Sequence, residues 1–135
     1  MVIFTEDKSP LKEVRVLDFT RVLAGPFCTR MMADMGAEVI KVEPPGGDVA
    51  RQFEFITPEG VSGYFMQQNC GKKDLCLDLA FPEAKEVVLK LVEVCDVVVE
   101  NFRPGVMARL GLSYQELIKL NPSLIMCSIS AFGQK

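Results

Sequence analysis

The stretch VCDVVVENFRPGVMARLG, Val94 to Gly111, decides the fold. Three consecutive valines read as a strand buried on both faces, as strands of parallel sheets are. The chain is then expected to expose Glu100, Asn101, Phe102 and Arg103 before a Pro104-Gly105 break. Parallel strands need long crossovers, so a helix should stand on each side of this one.

Both are legible. Upstream, FPEAKEVVLKLVEVC opens with Pro82 and Glu83 and sets Val87, Val88, Leu91 and Val92 on one stripe, the pattern of an amphipathic helix. Downstream, SYQELIKLNP carries Ser113 and Glu116 in capping-box spacing, turns Leu117, Ile118 and Leu120 inward and stops at Asn121-Pro122. SLIMCSIS, Ser123 to Ser130, is the last strand.

The amino-terminal half alternates in the same way. VRVLDF (Val14 to Phe19) reads as a strand, GPFCTRMMADMG (Gly25 to Gly36) as a helix with Pro26 in its first turn, and AEVIKVE (Ala37 to Glu43) as the next strand. Residues 44–63 are rich in turn formers and long for a loop, a candidate lid or partner-contact arm. YFMQQNC is a short helical turn, and KKDLCLDL (Lys72 to Leu79) alternates like a half-exposed strand near a sheet edge. The expected fold class is α/β with a doubly wound, largely parallel sheet.

Residues 1–13 are expected to form a polar lead-in and residues 14–135 one domain, which breaks off where another crossover would follow, as a fragment of something longer would. A chain of 135 residues, 49% hydrophobic and 24% charged, is ordinary for a soluble globular domain. No apolar run approaches the ~20 residues of a membrane helix, and Met1 to Pro10 lacks the pattern of a signal peptide, so a cytoplasmic chain is expected. A net charge of -3 offers no basic face for nucleic acid. Five scattered cysteines without a C-x-x-C spacing signal neither disulfides nor a metal site, and the chain contains no histidine to act as general base.

In open parallel sheets ligands bind beyond the carboxyl ends of the strands. The segments there are TRVLAGP, PPGGD, DLA, ENFRPG and AFGQK. Asn101 suits an amide, Phe102 a flat ring, and Arg103 or Arg109 a phosphate. A turn with solvated arginines explains the same residues as well. The pattern G-x-G-x-x-G is missing after the first strand and no P-loop is present, which argues against NAD and P-loop nucleotide binding. A receiver-like signalling module, with Asp18, Asp78 and Lys135 in the acidic and lysine positions, is an alternative of another class.

VLDFTRVLAGPFCTRMMADMGAEVIKVEPPGGD, NCGKKDLCLDL, VENFRPGVMARLG and LIMCSISAFGQ resemble, in order and spacing, the amino-terminal part of family III CoA-transferases, which include formyl-CoA and carnitine-CoA transferases and α-methylacyl-CoA racemase. The resemblance implies a Rossmann-like CoA-binding domain over residues 14–135, an interlocked homodimer, acyl-CoA and a carboxylic acid as substrates, and no metal. It places the aspartate nucleophile downstream of Lys135, so no catalytic residue is expected in this chain.

Carried over by position, it sets Arg21, Leu23 and Ala24 beside the thioester and Leu77, Asp78, Leu79 and Ala80 on the adenine side. Asn101, Phe102 and Arg103 then lie along pantetheine and nucleotide, with Arg109 at a phosphate or adenosine. Formyl-CoA transferases carry histidine where Arg21 stands and glutamine where Leu23 stands, departures that argue against a formyl or oxalyl substrate. Racemisation of a 2-methylacyl-CoA is the second reading within the family.

Overall fold

A computed structural model describes residues 9–53 and 56–134. Five strands, β1 (Arg15–Asp18), β2 (Glu38–Glu43), β3 (Lys73–Cys76), β4 (Val97–Glu100) and β5 (Ile125–Ser128), form one sheet in the order β3-β2-β1-β4-β5. Every pairing is parallel, with Leu17 opposite Ile40 on one side and opposite Val98 on the other. The connections are α1 (Ala24–Asp34), α2 (Gly63–Asn69), α3 (Pro82–Val92), α4 (Val106–Arg109) and α5 (Tyr114–Leu120).

This is the expected doubly wound sheet. The three valines serve both of its faces: Val98 joins one apolar cluster with Leu17, Val88, Val92 and Leu117, while Val99 joins another with Val16 and Val39. A residue period of two makes that division unavoidable. Residue-level expectations shift in three places. Glu100, expected to be exposed, is buried, and its carboxylate accepts the Phe102 N–H at 2.8 Å. On α3 the buried stripe is Ala84, Val88 and Val92, with Val87 exposed, and on α5 only Leu117 is fully buried while Leu120 faces outward.

Local signals fix the helix ends. The Ser113–Glu116 capping box forms as expected, with the Ser113 N–H donating to Glu116 at 3.2 Å. Pro82 opens α3, with Glu83 in its first turn and Lys90 in its last, matching the helix dipole. Gly36 ends α1 with φ +98° and donates to Ala33, the left-handed stop a glycine makes without strain. β3 is the polar edge strand, its Lys73 and Asp74 exposed, which discourages pairing with another chain. Before β1, the Leu11 N–H donates to Met35 at 3.0 Å and ties the lead-in to the end of α1.

The segment after β2 is no free lid at its start. Asp48 caps a single 3-10 turn, Val49–Gln52, and Arg51 makes a two-pronged ion pair with Glu43 at 2.7 and 2.9 Å. Farther on, Ile56 and Ser62 form an antiparallel bridge.

Candidate functional site

The strand order reverses between β1 and β4, and a crevice opens beyond the carboxyl ends of those two strands. Phe102 and Arg103, at the end of β4, stand between two clefts there. One, of about 810 Å3, runs past Ala24, Asn101 and the segment after β5, including Ser130 and Phe132. The other, of about 460 Å3, is walled by Phe19, Leu77, Leu79, Ala80, Val106 and Leu110, with Arg21, Glu43 and Asp78 as its charged lining. An apolar slot with Arg21 at one side, joined to an open groove at Arg103, suits a flat ring carried on a charged, extended chain.

The loop after β1 gives Phe19 and Arg21 to the smaller cleft and leads into Ala24 of the larger, and its backbone is gripped residue by residue. Lys41 donates to the Thr20 carbonyl at 2.7 Å. Asn101 holds the Arg21 peptide twice, accepting its N–H and donating to its carbonyl, both at 2.8 Å. The Val22 N–H lies 3.3 and 3.2 Å from the two Asp48 oxygens. Val22 has φ +68°, the only positive φ outside glycine among the described residues. For a β-branched residue the left-handed region costs roughly 1–2 kcal/mol, so the surrounding bonds must hold it there.

Beneath the loop lies a buried polar layer. Asp18 accepts from the Thr20 backbone at 2.8 Å, from the Thr29 hydroxyl at 2.6 Å and from Lys72 at 3.0 Å. Lys72 also donates to Asn69 and to the Pro26 carbonyl, which ties α2 to the first turn of α1. Burial pushes the Lys72 ammonium below its ordinary value, against the pull of Asp18. Burial also acts to raise the Glu43 carboxyl, but Arg51 and the Asp48 N–H outweigh it and leave Glu43 below the usual carboxylate range. Gly25 packs so closely on Thr20 that an added Cβ would fall 2.3 Å from the Thr20 Cβ.

Among the residues singled out from sequence, Arg21, Leu77, Asp78, Leu79 and Ala80 line the smaller cleft, Ala24 and Asn101 the larger, and Phe102 and Arg103 both. Leu23 and Arg109 line neither. Leu23 is half exposed ahead of α1, and Arg109 is exposed on α4. Three of the clustered residues have work within the chain. Asn101 braces Arg21, Asp78 accepts the Ala80 N–H at 3.0 Å to close its own turn, and Phe102 carries the Arg21 guanidinium 5.2 Å from its ring centre.

Sequence reasoning missed Thr20, Val22, Lys41, Glu43, Asp48 and Lys72. Lys41 and Glu43, interleaved with Val39, Ile40 and Val42 in the strand EVIKVE, were the available signal, since a strand flanked by β1 and β3 has little surface on which to solvate them. The receiver alternative fails on geometry. Receivers have strand order 2-1-3-4-5, whereas β1 is central here, and Asp18 is fully buried and bonded to Lys72. Lys135 lies outside the described residues.

A doubly wound sheet with paired clefts at its switch point defines the class of open α/β proteins that bind ligands beyond the carboxyl ends of their strands. Within that class the chain belongs to CoA-transferase family III, whose model matches residues 11–135. It is 50% identical to the succinyl-CoA:mesaconate CoA-transferase of Haloarcula hispanica, over 91% of this chain and 32% of that protein. It is 48% identical to the formyl-CoA:oxalate CoA-transferase of Afipia carboxidovorans, over 91% of this chain and 29% of that protein. The crystal structure of a CaiB/BaiF family protein from Brucella suis superposes with a TM-score of 0.89 at 42% identity, covering 94% of this chain and 35% of that one. The chain thus spans about a third of the length of the proteins it matches.

Proposed function

We propose that this chain is the CoA-binding region of an enzyme that moves CoA between an acyl-CoA thioester and a carboxylic acid. The observation that carries this is the pair of clefts meeting at Phe102 and Arg103 on the switch-point rim. The apolar slot between Leu77, Leu79, Val106 and Leu110 takes the adenine. Arg103 and Arg21 face the phosphates, and the thioester end runs past Asn101 toward Ala24. Leu23 and Arg109, outside both linings, are proposed as peripheral contacts to the acyl and nucleotide ends.

The chemistry needs a carboxylate nucleophile. Those at the clefts are engaged: Glu43 is forked to Arg51, and Asp78 closes its turn. The resemblance to family III CoA-transferases assigns the nucleophile to an aspartate downstream of Lys135. It attacks the thioester carbonyl and expels CoA thiolate, leaving a mixed anhydride. The thiolate attacks the aspartyl carbonyl of that anhydride, releasing the donor acid and forming an enzyme-CoA thioester. The acceptor carboxylate attacks this thioester, and the thiolate so freed takes the acceptor acyl group, which regenerates the aspartate.

Transfer is favoured over racemisation because the relatives named above are transferases. Their acyl groups differ at nearly equal identity, so the acceptor acid is left to experiment. The proposal includes a cytoplasmic homodimer that uses neither metal nor nucleic acid. Phe27 and Met31 on α1, with Leu23 and Met35 flanking its two ends, are exposed at successive four-residue steps and support a covering second copy. Among the described residues no helix is long and apolar enough to cross a membrane.

Calorimetric titration with CoA and with desulfo-CoA tests the reading. Binding of both, weakened in Arg103→Ala, is expected. Absence of heat from either ligand contradicts it.

A further inference from the structure

We propose that Asp48 and Lys41 are positioning residues: they hold Val22 in its left-handed turn and thereby fix the wall, Arg21 to Ala24, against which a CoA thioester is laid. The inference rests on the CoA reading of the clefts and extends it to a pair of charges that touch no ligand.

Both residues are 1% exposed and their side chains form an ion pair at 3.2 Å beneath the loop. Neither spends its bonds on the other alone. Lys41 reaches the Thr20 carbonyl and Asp48 the Val22 N–H, so the two charges grip the residues on either side of Arg21. Asp48 is itself fixed, accepting the Ala50 N–H at 3.0 Å and donating its own N–H to Glu43 at 2.7 Å. Glu43 in turn is clasped by Arg51. The loop after β1 is thus tied to the end of β2 by charge-assisted bonds to backbone. Such bonds fix where a main chain lies, not merely whether two elements stay together.

Only one residue in the gripped segment resists its conformation. Val22 at φ +68° would relax toward negative φ if released, swinging Arg21 and Ala24 out of place. A loop that holds the competent turn a tenth of the time binds about tenfold more weakly. Glycine adopts that φ unaided. The two roles, fixing conformation and stabilising the fold, therefore separate on rescue.

CoA titrations of the wild-type chain, Lys41→Met/Asp48→Ala, and the same double variant with Val22→Gly make the test, each with a thermal melt. The expected result is an affinity lowered about tenfold in the double variant and largely restored by Val22→Gly, while the melting temperature stays at the lowered value of the double variant. Asp48→Asn, which keeps volume and the Oδ1 cap on Ala50 but replaces the Oδ2 acceptor shared by Val22 and Lys41 with a donor, is expected to lower affinity in the same direction if the double variant does not fold, with Val22→Gly again restoring it. Wild-type affinity in the folded double variant, or affinity that Val22→Gly leaves unrestored, overturns the inference alone. No binding of CoA by the wild type overturns the functional reading and this inference with it.

Discussion

The two faces of the sheet are built on different principles. On the side of α3 and α5, Leu17, Val42, Val88, Val98, Leu112 and Leu117 interlock without a buried ion pair. On the side of α1 and α2, the apolar cluster is smaller, and toward the strand ends it gives way to Asp18, Lys41, Asp48 and Lys72 in two buried ion pairs. Apolar packing is non-directional and supplies stability. Buried charges add little net stability but place whatever they bond to. The first face holds the domain together, and the second holds the loop after β1 still beside the clefts.

The largest expected effect breaks the second face. Asp18→Ala leaves Lys72 charged and unpaired in the interior, which should cost about 3–5 kcal/mol. Adding Lys72→Met should recover much of that loss in denaturant melts. A double variant as unstable as the single one would mean that the layer stabilises the fold rather than arranging it. On the opposite face, Leu117→Ala should cost ~2–5 kcal/mol with no partner substitution able to restore it. CoA affinity of the folded fraction should stay at the wild-type value.

Arg103→Ala is expected to weaken CoA binding by about 1–3 kcal/mol with little change in melting, as a lost charge-assisted bond at an exposed residue does. Arg109→Ala should weaken it less, since Arg109 lines neither cleft. The reverse order in calorimetry would move the nucleotide end toward α4. The smallest effect is on pH dependence. Glu43 has its folded pKa depressed, so its contribution to stability is complete above the ordinary carboxyl value and is lost as pH falls through the depressed one. Glu43→Gln should therefore melt below wild type at neutral pH, with the gap closing below about pH 4.

The apolar face was the readable one. Valine runs, Pro82 at a helix start and the Ser113–Glu116 box are local patterns, and they led directly to β4, α3 and α5. β3 showed its edge position in the alternation of Lys73 to Cys76. The charged face was read poorly because its logic is long-range. Lys72 meets Asp18 across 54 residues, and Asn101 meets Arg21 across 80, with no period to announce either.

Asp48 in PPGGD looked like a turn residue, and Glu100 like the first exposed residue after a strand, since a single charge in sequence defaults to solvent. The anchoring of the candidate lid or partner-contact arm at its start went unread for the same reason, because Arg51 and Asp48 fix it to Glu43 through hydrogen bonds that no sequence period announces. The cleft residues fared better. Their clustering follows from topology alone, which brings the carboxyl ends of parallel strands to one rim, although Leu23 and Arg109 show that proximity in a motif does not ensure a place in a cleft wall.

Amide chemical-shift mapping of the isotope-labelled chain during a CoA titration tests the central claim most directly. The account predicts saturable shifts at Arg21 to Ala24, Leu77 to Ala80 and Asn101 to Arg103, with residues at the opposite end of the strands, such as Arg15 and Asp96, unmoved. Shifts concentrated around Arg15 and Asp96, or none at all at saturating CoA, would contradict it.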